Sequence, residues 1–279
     1  MSATLLETNS LDERRGSVWD YISPSRLNCW LSCPLKFKLR YIDGIKSPST
    51  PALFLGKHVH SGLEIFYRHK MLGITLMPED VAGRMVDAWD QAVAEENISF
   101  KTLNDELSLK KQSVDLVAAY LAQIPDDEPA PTAVEVRMET PLVDPFTGED
   151  LGIPMLGIVD LVLASDEGPV IIDFKTSSRS APPFEVTHEV QLSTYSYLHR
   201  QMTGQREAGL EIRSLVKTRK PKIESHDYSA RSDRHLARLF AIIREYLDSL
   251  DSGKFNFRPG WGCSMCDFRD GSHCRTWNP

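Results

Sequence analysis

"GIVDLVLASDEGPVIIDFKTS", residues 157–177, holds two runs of β-branched and aliphatic residues on either side of a short Asp-Glu-Gly turn. Such runs read as adjacent strands, and a turn of this length and composition folds the second back antiparallel to the first. Side chains alternate along a strand, so Asp173 and Lys175 project to one face while Phe174 turns to the other. Asp160, in the first run, can then approach Asp173. Each acid follows apolar residues, Ile158 and Val159 in one run and Val170 to Ile172 in the other, which carries it into a hydrophobic sheet where an unpaired charge is costly. Two explanations fit. Asp173 and Lys175 form an ordinary ion pair at a strand end, or Asp160 and Asp173 share a divalent cation that relieves their repulsion. Magnesium or manganese takes oxygen ligands and supports attack of water on phosphorus. Lys175 would then orient or deprotonate that water, and Phe174 would offer the ion only its backbone carbonyl.

Outward from this stretch the pattern divides in two. Residues 1–20 are polar without apolar period and read as a flexible lead-in. Residues 21–279 read as one domain: a helical part over 21–125, a core with a final helix over 130–252, and a cysteine-containing loop over 253–279. Ser23 and Pro24 mark a helix start, with Leu27, Leu31, Leu35 and Leu39 at helical spacing and Pro34 expected to kink or divide it. Three further helices follow before the break "PDDEPAPT". The pattern then switches to strands: "AVEVRMETPLV", the two opening runs, a helix "FEVTHEVQLSTYSYLHRQMTG" that Gly204 can end, and a fourth strand "GLEIRSLVKTR". The order αβββαβ, preceded by helices, is an α/β fold with a mixed sheet.

The chain has 279 residues, 41% hydrophobic and 25% charged, as in ordinary globular proteins. Its net charge of −7 argues against non-specific coating of nucleic acid, although a basic groove can coexist with an acidic whole. Two runs, "LKFKLR" and "LVKTRKPK", concentrate positive charge that can neutralise phosphates, or in the second case protect a strand edge. No apolar stretch approaches the ~18 residues of a membrane span, and the start lacks the layout of a secretion signal, so a cytoplasmic protein is expected. No phosphate-binding loop of the nucleotide-driven motors occurs.

The order "GIVDLVLA…VIIDFKT" resembles the PD-(D/E)XK nuclease superfamily. "LGKHVHSGLE" is similar to the upstream helix of its RecB-type exonucleases, and "QLSTYSYL" to their Q-x-x-x-Y motif. The resemblance implies a restriction-endonuclease-like core. It implies His60 as an additional metal ligand beside Asp160 and Asp173, with His58 close enough to compete for that role. It also implies Lys175, Gln191 and Tyr195 as catalytic residues, the last two holding a DNA phosphate or the attacking water, and Glu135 as a secondary candidate. The implied activity is magnesium- or manganese-dependent hydrolysis at DNA ends, on single strands, alone or beside a helicase, recombinase or CRISPR integrase. The setting would be repair, phage recombination or CRISPR spacer processing. A catalytically inactive DNA-binding or scaffold subunit is the alternative.

Cys263, Cys266 and Cys274 form C-x2-C-x7-C near the end of the chain, and three thiols need a fourth to complete a metal or iron-sulfur site. The resemblance, here to AddB-type and CRISPR-associated members of the family, implies Cys33 of the "CP" dipeptide as the fourth ligand of a 4Fe-4S cluster. Cys29 would be spare, and zinc is the other candidate. Such a cluster would tie together segments more than two hundred residues apart.

Overall fold

The helices α1 (Pro24–Ser32), α2 (Pro34–Phe37), α3 (Pro51–Met71) and α4 (Pro78–Glu95) all begin on a proline, whose missing N–H costs nothing in the first turn. In the computed structural model, which describes residues 17–180, 185–269 and 273–274, side chains complete these starts. Ser23 accepts from the Arg26 backbone N–H at 3.4 Å and Thr50 from that of Leu53 at 3.3 Å. Thr102 caps α5 (Leu103–Leu121) by accepting from Asp105 at 3.1 Å. Pro34 divides the first helix as expected: Cys33 is extended, and after α2 the chain passes through a π-helical turn at Lys38–Ile42. Most of the predicted lead-in, residues 1–16, lies outside the described residues.

The sheet runs β1-β2-β3-β4-β5 in order, with β1 (Pro131–Val143), β2 (Asp150–Leu163), β3 (Val170–Ser177), β4 (Gly209–Val216) and β5 (Lys222–Ser229). The first three form the expected antiparallel meander. Helix α6 (Glu185–Thr203) crosses over to bring β4 parallel to β3, placing Asp173 beside Ile212 and Lys175 beside Ser214. Gly204 follows α6 at φ +68°, and α7 (Asp233–Ser252) ends on Gly253 at φ +64°, conformations that favour glycine. Strand β5 corrects the sequence reading, which had no strand there. "KIESHDYS" is an edge strand paired with β4, mostly polar, with Ile223 and Tyr228 too far apart to make an apolar alternation that would reveal it.

Helices cover both faces of the sheet, which explains why "VII" is apolar without alternation. Ile171, Leu210 and Ile212 pack with Leu192 and Leu198 of α6 and Phe240 and Ile243 of α7. On the other face Ile172, Phe174 and Leu215 pack with Val59 and Leu63 of α3 and Leu116 and Val117 of α5. Each such fully buried side chain stabilises the fold by roughly 1.5–3 kcal/mol. Ile22, fully buried, is pinned to β2: its N–H donates to the Pro154 carbonyl and its carbonyl accepts from Leu156, both at 2.8 Å. At the other end of the chain, the Asn256 carbonyl accepts from the Leu35 N–H at 3.3 Å. Among the described residues no helix is long and apolar enough to cross a membrane.

Candidate active site

The β2–β3 pairing stops at Leu161–Ile172, and the next residues on each strand are Asp160 and Asp173. Asp160 is 8% exposed, and its Oδ2 accepts from the Phe174 N–H at 2.7 Å, so a carboxylate stands where a strand partner would be. Its Oδ1 lies 3.6 Å from His60 Nδ1 of α3, and Glu135 Oε1 of β1 lies 3.9 Å from the same nitrogen. One ligand atom from each of His60, Glu135 and Asp160 falls within 4.8 Å of the others. Glu135 sits in β1 between the Val134–Leu161 and Val136–Val159 pairs with φ +46°, a left-handed conformation that a non-glycine residue in a strand adopts only under constraint.

Asp173 is only 2% exposed. Its Oδ1 accepts from Gln191 Nε2 at 2.8 Å, and Lys175 Nζ stands 2.5 Å from its Oδ2 as an ion pair. The Gln191 amide also donates to the Tyr195 hydroxyl at 2.8 Å, so the two residues, one helical turn apart on α6, form a chain ending on Asp173. Tyr195 is buried, and Lys175 is one-third exposed. The close packing of α6 on β2 depends on Gly157: a Cβ there would come 2.7 Å from Leu198 Cδ1 and 3.2 Å from the Tyr195 ring. The ion pair weighed from sequence is therefore real, and it stands beside a cluster of potential metal ligands. His58, the competing histidine, is buried on another side of α3, with Nδ1 3.0 Å from Ser113 Oγ and Nε2 3.2 Å from the Met85 carbonyl.

Electrostatics tests whether a cation suits these residues. Burial alone would lower the His60 pKa, but the adjacent Asp160 and Glu135 carboxylates outweigh it and push it up to about 10. Burial raises Glu135, with His60 opposing the shift, and burial raises Asp173 against the pull of Lys175. Burial followed by the charges of Asp173 and Asp160 holds the Tyr195 hydroxyl well above its usual range, so it stays a phenol. The pocket has more negative charge than Lys175 balances, and it draws a proton onto His60. Hard oxygen donors with one imidazole suit magnesium or manganese, which would answer the same demand.

Beneath the site lies a network that sequence reading missed. The Phe174 ring packs against Tyr67 at 6.0 Å, Tyr120 at 5.4 Å and His60 at 6.3 Å between centroids. The two tyrosine hydroxyls meet at 2.6 Å. The Arg213 guanidinium of β4 donates to Tyr120 and Glu128 at 2.6 Å, to Tyr67 at 3.1 Å and to both Glu211 oxygens at 2.9 Å. Lys70 adds a 2.8 Å bond to Glu128. Helices α3 and α5 are thereby tied to the sheet under the residue that separates Asp173 from Lys175. Glu128 lay within the acidic break, and Arg213 within an otherwise ordinary strand, so no spacing linked them.

Cys33, Cys263, Cys266 and Cys274 all line one cavity of about 640 Å³, whereas Cys29 does not. All five cysteines are free thiols. The Arg258 N–H donates to Cys33 Sγ at 3.4 Å, and Cys263 Sγ donates to the Arg258 carbonyl at 3.8 Å. Among the described residues no three sulfurs lie within 4.8 Å of one another.

Comparison with known proteins follows the same lines. A family model described as the PD-(D/E)XK nuclease superfamily matches residues 21–271. No curated protein matches the chain. The crystal structure of a protein named "Putative exonuclease" from Eubacterium rectale superposes with a TM-score of 0.59 at 15% identity, covering 96% of this chain and 95% of that one. A second solved structure, SSO0001, gives a TM-score of 0.38 at 14% identity over 84% of this chain and 91% of that one, too low to carry an argument. The first likeness and the five-stranded mixed sheet agree with a restriction-endonuclease-like fold. With the match extending over nearly the whole chain, this protein belongs to the PD-(D/E)XK nuclease superfamily.

Proposed function

We propose that this nuclease is a metal-dependent exonuclease that hydrolyses phosphodiester bonds at DNA ends, acting on single strands. The convergence of His60, Glu135 and Asp160 beside the Asp173–Lys175 pair carries the reading. These three residues, with Asp173, would hold magnesium or manganese, and the Phe174 backbone carbonyl is a further candidate ligand. When bound, the ion supplies Lewis-acid stabilisation of charge at phosphorus and lowers the pKa of water. Lys175, at the partly exposed edge of the site, places positive charge beside the phosphate. Gln191 fixes the orientation of Asp173, and Tyr195 fixes Gln191, so both act by positioning the carboxylate. The Asp160 bond to the Phe174 N–H locks β2 to β3 at the site.

The cysteine cavity supports a 4Fe-4S cluster held by Cys33, Cys263, Cys266 and Cys274, with a structural role and Cys29 outside the ligand set. Anaerobically purified protein should carry iron and sulfide in equal amounts and absorb in the visible. Stoichiometric zinc in a colourless preparation would overturn the cluster.

The activity is tested with 5′- and 3′-labelled single strands and duplexes in magnesium and in manganese. Wild type should release nucleotides from ends. Asp173→Ala should lose more than the roughly 10–100-fold that loss of an outer partner costs. If wild type cuts nothing while both proteins bind DNA equally, the chain is an inactive DNA-binding subunit.

A further inference from the structure

The two basic runs have different fates in the fold. In the first, Lys36 lies 3.7 Å from Asp267, Arg40 pairs with the same carboxylate, and Lys38 lies 2.6 Å from Asp43. Each of those cations has a carboxylate partner, although Lys36 and Arg40 share one. In the second, Lys222 pairs with Glu224 at 2.6 Å, but Lys217, Arg219 and Lys220, in the turn between β4 and β5, have no acidic partner among the described residues. Arg219 and Lys220 are exposed and Lys217 is partly so. Three unbalanced cations in one turn stand out in a chain of net charge −7.

Their position gives them a use. Strands β3 and β4 run parallel, so the end of β4 lies at the end of β3 that carries Lys175. The Lys217 N–H donates to the Ser177 carbonyl at 2.9 Å, and with Lys175 beside Ser214 the turn begins three residues, roughly 10 Å, along the sheet from Lys175. The turn is braced internally: Thr218 N–H donates to the Val216 carbonyl at 2.9 Å, and Thr218 Oγ1 to the Lys220 carbonyl at 2.6 Å. No aromatic residue occurs in "KTRKPK", so the turn offers charge without a surface on which bases can stack.

We propose that the β4–β5 turn is a phosphate-binding arm that grips the DNA backbone next to the reacting centre through Lys217, Arg219 and Lys220, without reading sequence. This rests on the nuclease reading above for its substrate. Protection of the β5 edge is the competing use of the same charges.

The test is binding without cleavage. Fluorescence anisotropy of a labelled single-stranded oligonucleotide, in chelator, is followed between about 50 and 200 mM salt for the full chain and for K217Q/R219Q/K220Q. Circular dichroism checks that the variant is folded. Each phosphate contact to a single strand contributes about 0.7 to the slope of log affinity against log salt, so the triple variant should lose about 2 from that slope. Lys36→Gln with Lys38→Gln, from the run already paired with carboxylates, should leave it unchanged. An unchanged slope in the triple variant, or a wild-type protein whose binding ignores salt, overturns the arm and leaves edge protection. A lost slope in a chain that cuts no DNA keeps the arm and removes the nuclease reading, so the two fail separately.

Discussion

The carboxylate junction and the cysteine cavity are both places where distant parts of the chain meet, but they are held in opposite ways. At the junction every group has a partner: Asp160 takes the Phe174 N–H, Asp173 takes Gln191 and Lys175, and His60 stands between two carboxylates. The cysteines face a shared space, where the Arg258 backbone meets Cys33 and Cys263 and the Cys266 N–H donates to the Cys263 carbonyl. The junction is preorganised by sheet and helix whether or not an ion is bound. On the cluster reading proposed above the cavity gains its cohesion from what fills it, so removing a ligand should act on chemistry in one region and on stability in the other.

Loss of Arg213 breaks the junction's support most severely. Arg213→Ala leaves Glu128, with a side chain only 4% exposed, with Lys70 as its one cationic partner beside the Tyr67 hydroxyl, and strips Glu211 of its ion pair. Breaking a buried pair in this way costs about 3–5 kcal/mol, measured as a lower urea midpoint. If the junction depends on this clamp, manganese affinity should fall in the same protein, whereas a purely structural loss would leave the folded fraction with wild-type affinity.

The cavity should respond with stability. Cys263→Ala, compared with wild type in the cluster-loaded state, should lose about 2–4 kcal/mol, as expected for removal of a long-range cross-link. Cys29→Ala should lose far less, and equal losses would show that Cys29 is a ligand. A smaller, purely chemical effect is expected at Gln191. Gln191→Ala should lower turnover by roughly 10–100-fold while shifting Tm little, and a large Tm loss with unchanged turnover would reassign the residue to packing.

The sheet was legible because "GIVDLVLA" and "VIIDFK" are too apolar to be anything but buried strands, and the turn between them leaves only one pairing. Strand β5 was not legible: its eight residues form one edge, so no buried face imposes an alternating pattern. Glu135 was under-ranked for a related reason. In "AVEVRMET" it looks like the solvent-facing member of an alternation, and only its positive φ, which a sequence does not display, directs it to His60 and Asp160. His58 and His60 were ambiguous because they are two apart on one helix. The partners decide between them, Ser113 and the Met85 carbonyl for one and two carboxylates for the other.

By itself the sequence determined what local chemistry can dictate. Prolines and hydroxyls set the helix starts, apolar runs set the central strands, and residue types supplied two acids and a lysine in the order of the PD-(D/E)XK superfamily. Tertiary structure decided what depends on approach between distant segments. It set which histidine faces the acids, which basic run is neutralised, how Glu135 is bent into the site, and how Arg213 and Glu128 brace Phe174. Those outcomes turn on distances of a few ångströms between elements, and charge and hydrogen-bond energies fall off over that same range.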